Sequence, residues 1–358
     1  MNKRVKVLFY FFLTIILLCT ATACSLFPDG EEKPAPATPT VSPVIEVSGD
    51  YYGSVMPYKP NQTRGMLSRL SGYRIDFSHL ELGLLEIARE TFDPEEYLFQ
   101  EGQQISSQQV RDWLAPASEE NPKGLNPENG STLLLHVLEH DYLDVENQQL
   151  AGMVLGLTLS PEYKDASGQE KVYSTDELRA KGQALAAKIV QQVRADNAQI
   201  PMVIALYQVP DHSSTMIPGN FIMTGTVNSG EGSVSKWQAI DEKYYLFPGD
   251  AVYKDYPQIS LQYDKLMKQT KSFFSEFIGL TGVGRFMGRD LVELTLTATA
   301  EYDSRTEVIQ FTQYCASQIN QVFDKQVHVN LYVESINRPL AIYVRPANGE
   351  GYMHVYRK

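Results

Sequence analysis

The chain has 358 residues and a formal net charge of −12, from 43 acidic and 31 basic side chains. That balance excludes a nucleic-acid binder, because such binding rests on Lys and Arg neutralising phosphates. An apolar fraction of 43% with 11% aromatic residues excludes a disordered chain and predicts a globular one.

Lys3, Arg4 and Lys6 precede an apolar run, Val7 to Cys19, interrupted only by Thr14. Small residues follow up to Ala23, and Cys24 comes next. A positive start, a short apolar run and small residues describe a secretory signal peptide, residues 1–23. The run falls short of the ~20 residues that a membrane-spanning helix needs. A cysteine directly after small residues predicts a bacterial lipoprotein, cleaved between Ala23 and Cys24 and carrying diacylglycerol and palmitate on Cys24. The usual motif has Leu three residues before the cysteine, where this chain has Ala21. Ordinary secretion with cleavage after Ala23 is the alternative. Losing Lys3, Arg4 and Lys6 makes the mature chain more acidic still, so anionic headgroups repel it. The lipid on Cys24 must then supply the membrane contact, at the extracytoplasmic face.

Of three cysteines, Cys19 leaves with the signal peptide, Cys24 is acylated, and Cys315 remains. No intramolecular disulfide is then available, and the core must hold the fold. Cys315 falls on the apolar face of a predicted helix, which points to a buried, inert thiol.

Residues 24–49 read as a disordered linker, with Pro28, Pro34, Pro36, Pro39 and Pro43. Proline stiffens such a segment toward polyproline II. From Pro28 to Gly49 it reaches about 65 Å at about 3 Å per residue.

The folded body starts near Asp50. Lys59, Arg64, Arg69 and Arg74 recur at five-residue intervals, among Tyr51, Tyr52, Tyr58 and Tyr73. Tyr with basic residues is a common binding-surface composition, so Tyr58, Lys59, Arg64 and Arg69 form a candidate partner surface for an anionic envelope polymer or protein. The plainer reading is four solvated charges paired with nearby acids. Helical spacing predicts helices over 78–91 and 104–114, with Asp93-Pro94 stopping the first.

His136-Val137-Leu138-Glu139-His140 matches the inverted zinc-protease pattern H-x-x-E-H. On a helix, His136 and His140 would share one face and hold a zinc ion, with Glu139 as base. Leu133 to Leu135 give a context that a helix would fit, but nothing downstream declares a third ligand. An amphipathic helix with exposed His and Glu is the alternative, and the favoured expectation is no metal, no cofactor and no catalytic residue. Thr281-Gly282-Val283-Gly284 with Gly288 lacks phosphate-loop spacing and reads as a glycine-rich turn.

A pattern occurs twice. Alternation over 153–159 predicts a strand. Ser174 and Glu177 make a capping box, and Leu178, Leu185, Ile189 and Val193 form the stripe of its helix. Apolar strands follow at 201–209 and 220–227. In the second copy, alternation over 294–300 precedes a Ser304–Glu307 box. Val308, Phe311, Cys315, Ile319 and Val322 form a stripe, and strands follow at 327–334 and 341–345. Tyr97-Leu98-Phe99 and Tyr245-Leu246-Phe247 stand upstream of the two copies. Stripes packed on mainly antiparallel sheets predict an α+β fold of two similar lobes from an internal duplication, residues 50–232 and 233–358. The Gly- and Ser-rich interval from Asn228 to Ser235 is the expected junction.

Several blocks together resemble the CamS family, the sex-pheromone lipoprotein precursors of Gram-positive bacteria. They are Met56-Pro57-Tyr58-Lys59-Pro60, Tyr97 to Gly102, Ile217-Pro218-Gly219-Asn220, Lys236-Trp237 leading to Asp241 to Phe247, Phe311 to Tyr314, and His354-Val355-Tyr356. The resemblance implies that the named activity resides in the signal peptide. After cleavage, a short hydrophobic peptide from its C-terminal part is released and acts in some members as a mating pheromone. The corresponding window is Leu17 to Ala23. The resemblance also implies two repeats and assigns no activity to the mature body, so a non-enzymatic envelope module is expected. The alternatives are an envelope ligand- or partner-binding lipoprotein without a pheromone role, and a zinc hydrolase using His136, Glu139 and His140.

Overall fold

Strand pairing divides the body into two sheets that the chain completes one after the other. The structure is a computed structural model that describes residues 40–41, 51–64, 66, 74–128, 131–215, 218–274, 277–302 and 304–357. The signal peptide, Ala23 and Cys24, most of the linker, and Arg69 lie outside the described residues. Up to Val41 only a two-residue strand, Thr40–Val41, is described; Ser42–Lys358 forms one compact unit.

Within that unit the first sheet holds β1 (Gly53–Met56), β2 (Tyr97–Glu101), β3 (Leu134–Asp144), β4 (Leu150–Leu159), β7 (Met202–Gln208), β8 (Asn220–Val227) and β9 (Lys236–Ala239), in that spatial order. β5 (Glu162–Lys164) and β6 (Glu170–Val172) form a separate hairpin. The second sheet holds β10 (Glu242–Phe247), β11 (Phe277–Met287), β12 (Asp290–Ala300), β13 (His328–Ser335), β14 (Arg338–Arg345) and β15 (Tyr352–Val355), also in spatial order.

The two sheets share one pattern of pairing. β2 to β4 pair antiparallel, β4 pairs parallel with β7, and β7 to β9 pair antiparallel. β10 to β12 pair antiparallel, β12 pairs parallel with β13, and β13 to β15 pair antiparallel. A parallel neighbour needs a crossover. Helix α3 (Thr175–Arg194) supplies it in the first sheet and α6 (Arg305–Val322) in the second. Tyr97-Leu98-Phe99 and Tyr245-Leu246-Phe247 occupy the equivalent strands β2 and β10.

The helix starts follow the expected chemistry. Ser174 and Glu177 satisfy each other's backbone N–H groups at the start of α3. Ser304 Oγ accepts the Glu307 N–H at the start of α6. Helix α1 (Phe77–Ala88) begins where Asp76 accepts the His79 N–H. Helix α2 (Ser107–Leu114) begins in a reciprocal Ser106–Gln109 box.

The first sheet is covered on both faces. On one face α2 and α3 bury Val110, Trp113, Leu178, Leu185 and Ile189 against Val137, Leu155, Leu157 and Ile204. On the other, Leu80, Leu84 and Ala88 of α1 meet Tyr142, Val154, Val203 and Ala205. The second sheet packs one face against α6 and α5 (Pro257–Phe273), which bury Phe311, Cys315, Ile319, Tyr263 and Leu266 against Leu294, Leu296, Val329 and Leu331. The short helix α4 (Asp250–Asp255) precedes α5. No helix among the described residues is long and apolar enough to cross a membrane.

Three expectations are corrected. His136 to His140 lie in strand β3, not in a helix: β3 is buried on both faces, so its sequence shows no alternation. Thr281 to Gly284 lie inside β11, not in a turn; a Cβ on Gly284 would stand 2.7 Å from the Phe247 ring, so glycine answers a close approach there. Gly288, at φ +61°, makes the turn after β11. The change of sheet falls at Ile240 and Asp241 rather than in 228–235, because Lys236–Ala239 pairs with β8.

Candidate functional site

The proposed partner surface gathers around one carboxylate. Glu101 closes β2 and accepts the Tyr58 hydroxyl at 2.7 Å, the Asn61 N–H at 2.6 Å and the Arg64 guanidinium. Arg64 also stands over the Tyr58 ring, 5.6 Å from its centroid. Burial pushes the Glu101 carboxyl up, but the Asn61 N–H, Tyr58 and Arg64 outweigh it and hold the group below its ordinary range. Tyr58, Lys59 and Arg64 are exposed at this corner, as a binding surface requires. The Arg64 charge, however, is matched internally, which weakens a basic patch.

On β3 the H-x-x-E-H side chains diverge. His136 and His140 point to the α1 face, edge-on to Phe77 and Phe99. Glu139 points to the α2 face. Four residues along a strand separate the two His backbones by about 13 Å, too far for one ion. The helical face on which the zinc reading rested is therefore not formed. Both imidazoles are buried, and burial pushes each down to about 4. Among the described residues, no three His, Cys, Asp or Glu side chains converge as a metal set.

Glu139 instead joins Asp141, two residues along on the same face. Its oxygens accept the N–H groups of Gln104 at 2.9 Å and Ile105 at 3.0 Å. Asp141 Oδ2 accepts the Gln103 N–H at 2.9 Å. Gly102 is the only residue small enough to pass here, since a Cβ would strike the Glu139 side chain. Two buried carboxyls so placed cannot both ionise cheaply. Burial, then the Asp141 charge, pushes Glu139 up to about 8. Asp141 Oδ1 itself has no hydrogen-bond partner. Through the N–H groups it accepts, the pair pins the β2–α2 loop to the sheet.

A third cluster joins the sheets. Glu242 opens β10 and is 2% exposed. Its Oε2 accepts the Phe221 N–H of β8 at 2.7 Å, and its Oε1 accepts Arg285 Nε of β11 at 2.7 Å and the Tyr244 hydroxyl at 3.2 Å. Tyr244 Oη lies 3.0 Å from His79 Nε2 on α1, and Arg285 Nη1 donates to Glu86 on the same helix at 2.7 Å. Burial pushes the Glu242 carboxyl up, but His79, Arg285 and the Phe221 N–H together hold it below its ordinary range.

A family model for the CamS sex pheromone cAM373 precursor matches residues 58–350. The chain belongs to the CamS family. A crystal structure of a sex pheromone precursor from Lactobacillus salivarius subsp. salivarius UCC118 has 24% identity and a TM-score of 0.78, covering 90% of this chain and 100% of that one. The C-terminal domain of the sex pheromone staph-cAM373 precursor from Staphylococcus aureus has 24% identity and a TM-score of 0.67, covering 78% of this chain and 96% of that one. At these identities both likenesses show the fold, a mixed α+β arrangement. No curated protein matches the sequence.

In this CamS chain, the block from Lys236 to Phe247 holds β9, the change of sheet and β10. It therefore supplies Glu242 and Tyr244, two members of the cluster joining the sheets, which sequence reading passed over. The signal available was the alternation of Glu242, Tyr244 and Leu246, which puts the acid and the phenol on one face.

The remaining singled-out groups are structural. Cys315 is 2% exposed and its thiol is pushed up to about 12 by burial. His212 bonds Glu162, and His328 lies 3.1 Å from Asn330 Oδ1.

Proposed function

We propose that this chain is a membrane-anchored extracytoplasmic lipoprotein whose cleaved signal peptide is processed to a hydrophobic peptide pheromone. The observation that carries the reading is the family match over residues 58–350, in a chain that begins with a signal-like run ending Ala23-Cys24. Cleavage there frees the N-terminus of Cys24 for acylation, and trimming yields the window Leu17 to Ala23. The mature body acts as a non-enzymatic envelope module. What supports that part is the use of its titratable clusters: Glu101, the Glu139–Asp141 pair and Glu242 each hold strands, loops and helices together. The common pairing pattern of the two sheets supports an internal duplication as the origin of the body.

Mass spectrometry of both products in the native host tests the proposal. A peptide ending at Ala23 in the medium and diacylglycerol on membrane-bound Cys24, both lost in Cys24→Ala, are expected. An unacylated Cys24 on a freely secreted protein overturns the anchoring, and acylation without any released peptide overturns the pheromone route.

A further inference from the structure

Beside the C-terminal end of α1, on the face of the first sheet that α1 covers, lies a cleft of about 180 Å³. Ile87 and Val203 line it with apolar surface. Glu90 and Thr91 line it from the turn after α1, Thr224 and Thr226 from β8, and Lys236 and Gln238 from β9. The register explains the convergence: Lys236 pairs with Thr226 and Gln238 with Thr224, so all four side chains share one face. Around Glu101 and Glu242 the polar side chains find one another. Here, among the described residues, none of these six side chains has an intramolecular hydrogen bond or ion pair, although an ammonium and a carboxylate line the same cleft.

The chemistry of the lining selects the ligand. Drug-sized molecules occupy pockets of about 300–1,000 Å³, so this cleft has room for a single small ring. Hydroxyls and an amide both donate and accept, which suits a polyol whose every hydroxyl does the same. Ile87 and Val203 suit the C–H surface of a sugar ring. An anion is disfavoured: the helix presents its C-terminal, negative end, Glu90 adds a full charge, and Lys236 stands alone against them. We infer that the cleft is a binding site for one hexose-sized sugar unit, neutral or amine-bearing, held by Thr224, Thr226, Lys236 and Gln238 with Glu90 accepting from an ammonium or hydroxyl. The site lies in the body and is independent of the fate of the signal peptide.

Saturation-transfer NMR on the full lipoprotein in detergent, with glucosamine, glucose and glucuronate as probes, tests the assignment. Glucosamine and glucose are expected to bind at millimolar concentration, with glucuronate about tenfold weaker or undetected. Gln238→Ala, an exposed position, and Thr224→Val, a swap of like shape, should each weaken binding about three- to tenfold. Glu90→Gln should remove the advantage of glucosamine over glucose. Thermal melts equal to wild type keep the variants interpretable. Tighter binding of the methyl glycosides than of the free sugars places the ligand at the end of a glycan, and equal binding makes it a free monosaccharide; both support the site. No saturation transfer from any probe at 20 mM (about ten times a millimolar Kd), or glucuronate binding as well as glucosamine, overturns it.

Discussion

Glu242 and Arg285 hold each other in the seam between α1 and the second sheet: Arg285 Nε donates to Glu242 Oε1 at 2.7 Å, while Glu242 Oε2 takes the Phe221 N–H of the first sheet. One carboxylate thus satisfies donors from both sheets. Removing the guanidinium leaves a buried carboxylate whose remaining partner able to carry positive charge, among the described residues, is His79, 3.9 Å away. Arg285→Ala should therefore cost about 3–5 kcal/mol in urea unfolding. Glu86, the other partner of Arg285, is 41% exposed at its side chain. Its replacement by Gln should cost less than about 1 kcal/mol. Equal losses from the two variants would show that the seam does not depend on the buried member.

The Glu139–Asp141 pair sets a pH dependence. Glu139 binds its proton more tightly folded than unfolded, so the stability it contributes is present below the ordinary carboxylate range. It is lost as pH rises toward about 8. Glu139→Gln has nearly the same shape and cannot ionise. Above about pH 6.5, where His136 and His140 are neutral folded or unfolded, its unfolding free energy should lack the decline toward about pH 8 that the wild type shows. A wild-type curve already flat in that range would remove the raised proton affinity of Glu139 from the account.

His136 and His140 work in the opposite sense. Each is held neutral when folded, with its proton affinity pushed down to about 4. Their contribution is present above pH 6.5, the usual His value, and is lost as pH falls through about 4. Neither ring nitrogen of His136 has a hydrogen-bond partner. His136→Phe should fill the same space against Phe77, raise stability by about 1–2 kcal/mol at neutral pH, and lessen acid unfolding. Destabilisation by Phe would indicate that His136 has a polar partner.

Cys315 should be silent in the folded chain. At 2% exposure, with its thiol pushed up to about 12, it offers almost no thiolate at neutral pH. Mass-spectrometric counting after brief treatment with a thiol reagent should find Cys315 unlabelled in buffer and fully labelled in denaturant. Fast labelling in buffer would mean that α6 leaves the sheet.

Legibility depended on how clean the local pattern was: β4 and β7, buried on both faces, still read as strands, whereas β3 and α5 did not read as what they are. Helix α3 announced itself through Ser174, Glu177 and a single stripe, and β13 through strict alternation from Val327 to Val333. β3 is covered by α2 on one side and α1 on the other, so Leu134, Leu135, Val137 and Leu138 run together. His136 and His140 then read as a helical pair. Helix α5 escaped notice because its buried side includes Ser260 and Thr270 beside Tyr263 and Leu266, which blurs the stripe. The corner around Tyr58 and Arg64 was visible as composition, but its partner Glu101 was not. The seam was unreadable for a different reason: Tyr244 and His79 are 165 residues apart, and nothing in local spacing reports such a meeting.

The order in which the two sheets are written along the chain bears on how the protein comes into being. Every strand of the first sheet precedes Ile240, and every strand of the second follows it. A polypeptide that emerges amino terminus first can therefore close its first sheet around Trp113 and Leu155 before the second has left the channel. His79, Glu86 and the Phe221 N–H must wait until Tyr244, Arg285 and Glu242 arrive to complete the seam. Folding can then proceed vectorially, each half shielding its own apolar surface as it forms, with docking of the halves as the last step.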